Sequence, residues 1–214
     1  MMLAKQAEIM AAYNRWMNEK LYAVCAELTD EERKLDRRSF FRSIHGTLNH
    51  LLLADRVWFG RFIGRPFTVR SLDQELYADF AELRAARVGM DRDIEAWART
   101  LTDAALTAKL EYRSIVNPQP QSNALWICVM HLFNHQTHHR GQVTALLSQC
   151  GKDYGVTDLI LLPEVQSQQG TDPEDKSAPP VFKWLRQRLP ESESGAMQPE
   201  SRLLPWGGLR LPVP

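Results

Sequence analysis

Apolar residues that return every three or four positions through long stretches constrain this chain more than any other feature. Over residues 3–28, Ile9, Tyr13, Trp16, Met17, Leu21, Val24 and Leu28 recur at three and four, the period of an α-helix. A second stripe runs through SFFRSIHGTLNHLLLADRVWFGRFIG, with Ser39 as the expected N-cap and Gly64 and Pro66 as the stop. Leu53 and Val57 lie off that stripe. A helix apolar on two faces needs cover on both, from a bundle plus a partner subunit or from a covering segment. A third helix is expected over residues 71–100, capped by Ser71, and a fourth from about Asn123 to Gln149, capped by Asn123 or Ser122 and stopped by Gly151. Between them, LEYRSIVNPQP reads as a short extended piece or hairpin. DEERKLDR reads as a connection after the first helix. Four long amphipathic helices with no strand-rich region predict an all-α four-helix bundle.

The pattern stops near residue 165. Nine of the 12 prolines lie at Pro163 or later, and QSQQGTDPEDKSAPP and PESESGAMQPES have the composition of flexible chain. The expected organisation is a bundle over residues 1–165 and a Pro-rich, largely flexible extension over 166–214, in which VFKWLRQRL has the pattern of one short amphipathic helix.

Charge excludes some functions. Lys plus Arg and Asp plus Glu balance at 26 each, so no overall field draws the chain to nucleic acid or an anionic membrane. No apolar run approaches the roughly 18–20 residues of a membrane span. Three widely spaced cysteines, Cys25, Cys128 and Cys150, form no disulfide framework and suit a reducing compartment. With no leader-like N-terminus, a cytoplasmic protein is expected.

Chemistry concentrates in HLFNHQTHHRGQ, residues 131–142, which holds four of the six histidines. His135 and His139 are four apart, so their rings stack on one helix face, shared with Cys128, Leu132, Val143 and Leu146. Two imidazoles turned toward an apolar interior are costly unless paired or metal-bound. His131 extends the ladder but cannot share the ion: eight residues rise about 12 Å, whereas two nitrogens on one metal lie about 3–3.5 Å apart. A third ligand must come from another helix, and the remaining histidines are His45 and His50. Periodicity slightly favours His45 as core-facing without deciding between them.

NHQTHHRGQVTALLSQCG followed by GVTDLILLPEV resembles the last helix of the DinB/YfiT-like family, as YNRWMNEKLY and the second-helix segment resemble its earlier motifs. The resemblance covers roughly residues 1–165. It implies a four-helix bundle with a divalent metal, zinc or nickel most often, on three histidines. Its first ligand lies in LNHLLLADR, which places it on His50, and the other two match His135 and His139. It also implies a homodimer, which would account for the second apolar face of the second helix. Characterised relatives include thiol-dependent transferases and isomerases that use low-molecular-weight thiols.

Three neutral histidines leave a coordination position open, the pattern of catalytic sites. A metal there lowers the pKa of bound water or thiol, so a thiol-dependent S-transferase or a hydrolase is the expected enzyme class. The alternative is a non-catalytic, metal-stabilised dimer in a stress response, with the extension as a partner-binding arm. Three neighbours carry two readings each. His138 projects about 100° from His139, as a second-shell or substrate-facing group or as a solvated one. Asp55 could orient an imidazole, or sit in a partly exposed ion pair. Arg140 could bind a substrate carboxylate, or make a surface pair. Gly141, costly in mid-helix by about 1 kcal/mol, suggests a close helix approach.

Overall fold

The computed structural model describes residues 2–115 and 119–167. Helix α1 (Met2–Ala26) buries Tyr13, Met17 and Leu21 of the expected stripe, with Ala11 beside them, while Ile9, Trp16 and Val24 are half-buried. A turn led by Thr29 then starts the short helix α2 (Asp30–Lys34). Sequence reading made this segment a plain connection. The T-x-x-E signature of a capping box was present in it: Glu32 N donates to Thr29 Oγ1 at 3.2 Å, and Thr29 N donates to Glu32 Oε2 at 2.8 Å.

Helix α3 (Ile44–Phe62) starts four residues later than the Ser39 cap would place it. Ser43 is the cap and accepts from Gly46 N at 3.0 Å. Residues 39–42 instead form a tight turn that needs a positive φ of 64° at Arg42. Gly46 permits the close approach of that turn, since a Cβ there would lie 2.3 Å from the Phe41 carbonyl oxygen.

Helix α4 (Phe80–Ala98) is capped by Asp79, which accepts from Glu82 N at 2.8 Å. The helix expected from Ser71 is therefore nine residues shorter at its start. The physical reason is tertiary. Residues 71–79 fold back on α3, and α3 side chains take their backbone groups: Asn49 Oδ1 accepts from Leu76 N and Tyr77 N, and Asn49 Nδ2 donates to Tyr77 O. This connection also passes over Gly60, where a Cβ would meet Arg65 O at 2.6 Å. Leu53 and Val57 on the second apolar face are buried within this chain. Their burial therefore gives no reason to require a partner subunit.

After α5 (Asp103–Thr107), strands β1 (Lys109–Arg113) and β2 (Pro120–Ala124) pair antiparallel, with Leu110 opposite Asn123. LEYR is thus the extended piece expected, and the hairpin leads straight into α6 (Leu125–Gln149). Neither Asn123 nor Ser122 caps α6. Both are strand residues, and the first N–H of the helix, that of Leu125, donates to Ala108 O at 2.8 Å. A 3₁₀ turn (Leu159–Leu161) and a last short helix, α7 (Pro163–Gln166), close the described chain. Residues 168–214, including VFKWLRQRL, lie outside it.

Each of α1 and α3 packs against both α4 and α6, so the four long helices form the expected bundle around one core. No helix among the described residues is long and apolar enough to cross a membrane. Gly141 does not mark a close approach: it is exposed, and a Cβ there would meet nothing within 4 Å. Gly141→Ala is accordingly expected to raise stability by roughly 0.5–1 kcal/mol through helix propensity, seen as a higher denaturant midpoint with an unchanged slope.

Candidate metal centre

Three imidazoles meet between α3 and α6. His50 Nε2 lies 3.2 Å from His135 Nε2, which lies 3.1 Å from His139 Nε2. These are the separations expected of nitrogens sharing one ion at bond lengths of about 2.0–2.1 Å. The outer nitrogens of two rings are already assigned. His50 Nδ1 donates to Leu72 O at 2.8 Å, and His139 Nδ1 donates to Gln142 Oε1 at 2.7 Å. A proton held on each Nδ1 leaves each Nε2 as a bare lone pair, so both lone pairs face His135.

Electrostatics keep the cluster neutral. Burial, resisted by the Leu72 hydrogen bond, lowers the His50 pKa to about 4. Burial and the neighbouring imidazoles lower that of His135 to about 3. Burial lowers His139 as well, against its bond to Gln142. Phe41 stacks on His50 with centroids 3.8 Å apart and meets the His139 ring edge-on at 5.4 Å. The turn at Arg42 thus delivers an apolar cover to the site. A cavity of about 590 Å³ opens beside it, lined by Phe40, Phe41, Asp73, His138 and the cluster itself.

The other histidines separate cleanly. His45 is buried, as periodicity suggests, but faces the α3–α4 connection, where its Nε2 donates to Tyr77 O at 2.9 Å. His131 stays out of the cluster and packs its ring on Trp58 at 4.8 Å. His138 is exposed, lines the cavity and lies edge-on to His139 at 4.8 Å. Cys128 is buried and free, a small apolar residue outside the cluster.

Asp55 and Arg140 differ most from their reading as partly exposed or surface groups, being 0% and 3% exposed. Asp55 pairs with Arg87 at 2.7 Å and accepts from Gln136 Nε2. Arg87 also pairs with Asp91 at 2.8 Å, and Asp91 accepts from Asn14 and Asn18. Arg140 donates to Asn14 Oδ1. Neither Asp55 nor Arg140 has a hydrogen bond or ion pair to a cluster imidazole. They belong to a polar layer that ties α1, α3, α4 and α6 together. Gln136, beside His135, also donates to Leu51 O on α3 at 3.1 Å, so this layer holds α6 in register against α3.

Residues that sequence reasoning missed are Phe41, the Leu72 carbonyl and Gln142. Only Gln142 carried a local signal, since it lies one helical turn beyond His139 and shares its face.

Fold and site together define a helical bundle with three convergent histidines that could hold a metal ion. The DinB family model matches residues 2–175, and the chain belongs to that family. It is 27% identical over 150 residues to Protein DinB of Bacillus subtilis (strain 168), covering 68% of this chain and 87% of that protein. A DinB-like protein from Bacillus cereus ATCC 10987, known as a crystal structure, is 21% identical, with a TM-score of 0.48 over 65% of this chain and 89% of the other.

Proposed function

We propose that this protein binds one divalent cation, zinc or nickel, on His50, His135 and His139 and uses it as a cytoplasmic thiol-dependent S-transferase. The observation that carries the metal reading is the convergence of three neutral imidazoles with the protons of His50 and His139 held on the far side. Without a cation, one ring proton on His135 Nε2 is the sole donor the cluster can offer to the two lone pairs that face it. Three protein ligands leave one position for a reactant. When bound, the cation supplies a Lewis acid that favours the thiolate over the thiol at neutral pH.

This chain's own residues do the rest. Leu72 and Gln142 fix the ring orientations. Phe41 excludes water from one side of the cluster. The adjoining cavity, which His138 lines, admits a small molecule. In the transfer, the thiol proton leaves to solvent, and the sulfur forms a bond to an electrophilic carbon that releases its leaving group with the electron pair. Such chemistry needs neither a nucleic acid nor a membrane partner. We further propose, from the family resemblance alone, that the protein acts as a homodimer.

The test is elemental analysis of purified protein, followed by turnover of the zinc-loaded and nickel-loaded forms with glutathione, bacillithiol or mycothiol and an aryl halide. One metal per chain and thiol consumption support the proposal. Protein that neither carries nor takes up metal sinks it. Metal-loaded protein that binds none of the three thiols removes the transferase part. Gln142→Leu offers a second check. Freed of its acceptor, His139 loses its fixed tautomer, and zinc affinity is expected to fall roughly 10–100-fold in chelator competition.

A further inference from the structure

A second recess reaches two of the three histidines, His50 and His135. It has a volume of about 350 Å³, and His50, His135 and Leu72 line both this recess and the cavity under Phe41. The volume falls in the range of small-molecule sites. Its far end is built from Trp58, Arg61, Tyr112 and His131.

Arg61 is the unusual member. Its guanidinium lies 4.5 Å from the centroid of the Trp58 ring and 4.8 Å from that of Tyr112. It is half-buried, and burial pushes its pKa down. One N–H donates to the Arg113 carbonyl at 2.9 Å. Among the described residues no carboxylate pairs with it, whereas buried Arg87 has two. A partly desolvated cation held against aromatic rings, with edge donors to spare, is arranged for a planar anion.

Its register on α3 points the same way. His50 and Arg61 are eleven residues apart, three turns and about 20° on, so they share a face. The axial separation of the two Cα atoms is roughly 16 Å; both side chains lean toward the N-terminus, so the gap shortens by as much as the longer Arg61 outreaches His50. That leaves room for one ring between an anion on Arg61 and a reacting atom at the cluster. On α6, His131 lies one turn before His135, with ring centroids 5.9 Å apart, and forms the wall between the two ends.

We propose that this recess binds an organic carboxylate, its anionic end on Arg61 and its apolar body against Trp58, Tyr112 and His131, so that its other end reaches the three-histidine cluster. The reading rests on the proposed metal function only for what happens at that other end. It assigns the recess to one reactant and the cavity under Phe41 to the second. It also moves the carboxylate-binding role expected of Arg140 to an arginine with a free edge.

The experiment is calorimetry with 3-phenylpropionate and its neutral amide, on metal-free and zinc-loaded protein. The acid is expected to bind at least about 10-fold tighter than the amide, the discrimination typical of one charge-assisted pair. This preference should appear in both metal states, disappear in Arg61→Gln and survive in reduced form in Arg61→Lys. Ring-proton shifts of Trp58 and Tyr112 in NMR spectra locate the ligand should Arg61→Gln fail to fold. Equal binding of acid and amide overturns the proposal. So does an acid preference that survives Arg61→Gln but needs zinc and His139, since the carboxylate would then be a metal ligand. A protein that takes up no metal yet keeps the Arg61-dependent preference sinks the metal reading and leaves this one standing. Competition with mercaptosuccinate separates the two sources of the carboxylate. Displacement of phenylpropionate puts the thiol's own carboxylate on Arg61, simultaneous binding puts it on the electrophile, and displacement unaffected by Arg61→Gln counts against the site.

Discussion

His135→Ala is expected to weaken zinc binding by well over 100-fold, beyond the 10–100-fold that loss of a supporting hydrogen bond costs. His135 is the central imidazole: its Nε2 lies 3.2 Å from that of His50 and 3.1 Å from that of His139, so its removal leaves no pair in contact through it. His45→Ala and His131→Ala are the controls, because neither ring reaches the cluster. The pH profile of zinc binding adds an independent check. Ligation needs neutral imidazole, and protons compete only below a ligand's pKa. Free histidine, near 6.5, would begin to release metal below that pH. Here His50 and His135 are held near 4 and near 3 and burial lowers His139 as well, so affinity should hold to a lower pH than free histidine allows before it falls. Chelator competition at each pH measures this, and half-release near pH 6.5 would sink the geometry proposed for the site.

Arg87→Met should cost about 3–5 kcal/mol of folding stability at pH 8, the penalty of removing one partner from a buried ion-pair network. Asp55 and Asp91 would remain at 0% and 3% exposure with their shared cation gone. Burial already raises the Asp91 pKa to about 6 and raises that of Asp55, each opposed by Arg87. Without Arg87 both rise further. The folded variant then binds protons that the unfolded chain, with carboxyls near 3.9, does not hold. Its stability deficit should therefore shrink as pH falls from 8 to 5. Removing the charges together, in Asp55→Asn, Arg87→Met, Asp91→Asn, should cost less than Arg87→Met alone, because the groups act as one unit. Denaturant unfolding of both variants at the two pH values decides. A deficit under about 1 kcal/mol at pH 8 would mean that water reaches the layer and screens it.

The same contrast marks how far the sequence could be read. Helical periodicity located the four long helices because apolar spacing is a property of each segment alone. It placed His135 and His139 on one face for the same reason, since residues four apart must stack. It erred where a partner distant in sequence competes for a segment. SLDQELYAD carries helix-favouring residues, yet Asn49 and His50 on α3 claim its backbone groups and hold it as a cover. Asp55 read as half of a partly exposed ion pair and Arg140 as half of a surface pair, because their partners lie far away in sequence. Their burial depends on Arg87 for one and Asn14 for the other.

His45 and His50 make the division sharpest. Both lie on α3, both are buried, and periodicity, which leans slightly to His45, does not decide between them. Local pattern determined the bundle, its helices and the paired imidazoles of α6, all of which follow from periodicity and rise along one helix. Only the packing of α3 against α6 brings His50 to that pair, while His45, about 140° round the same helix, meets the folded-back connection instead. A histidine cluster drawn from two helices is a relation between surfaces, set by how two helices meet and by which carbonyl takes each ring proton.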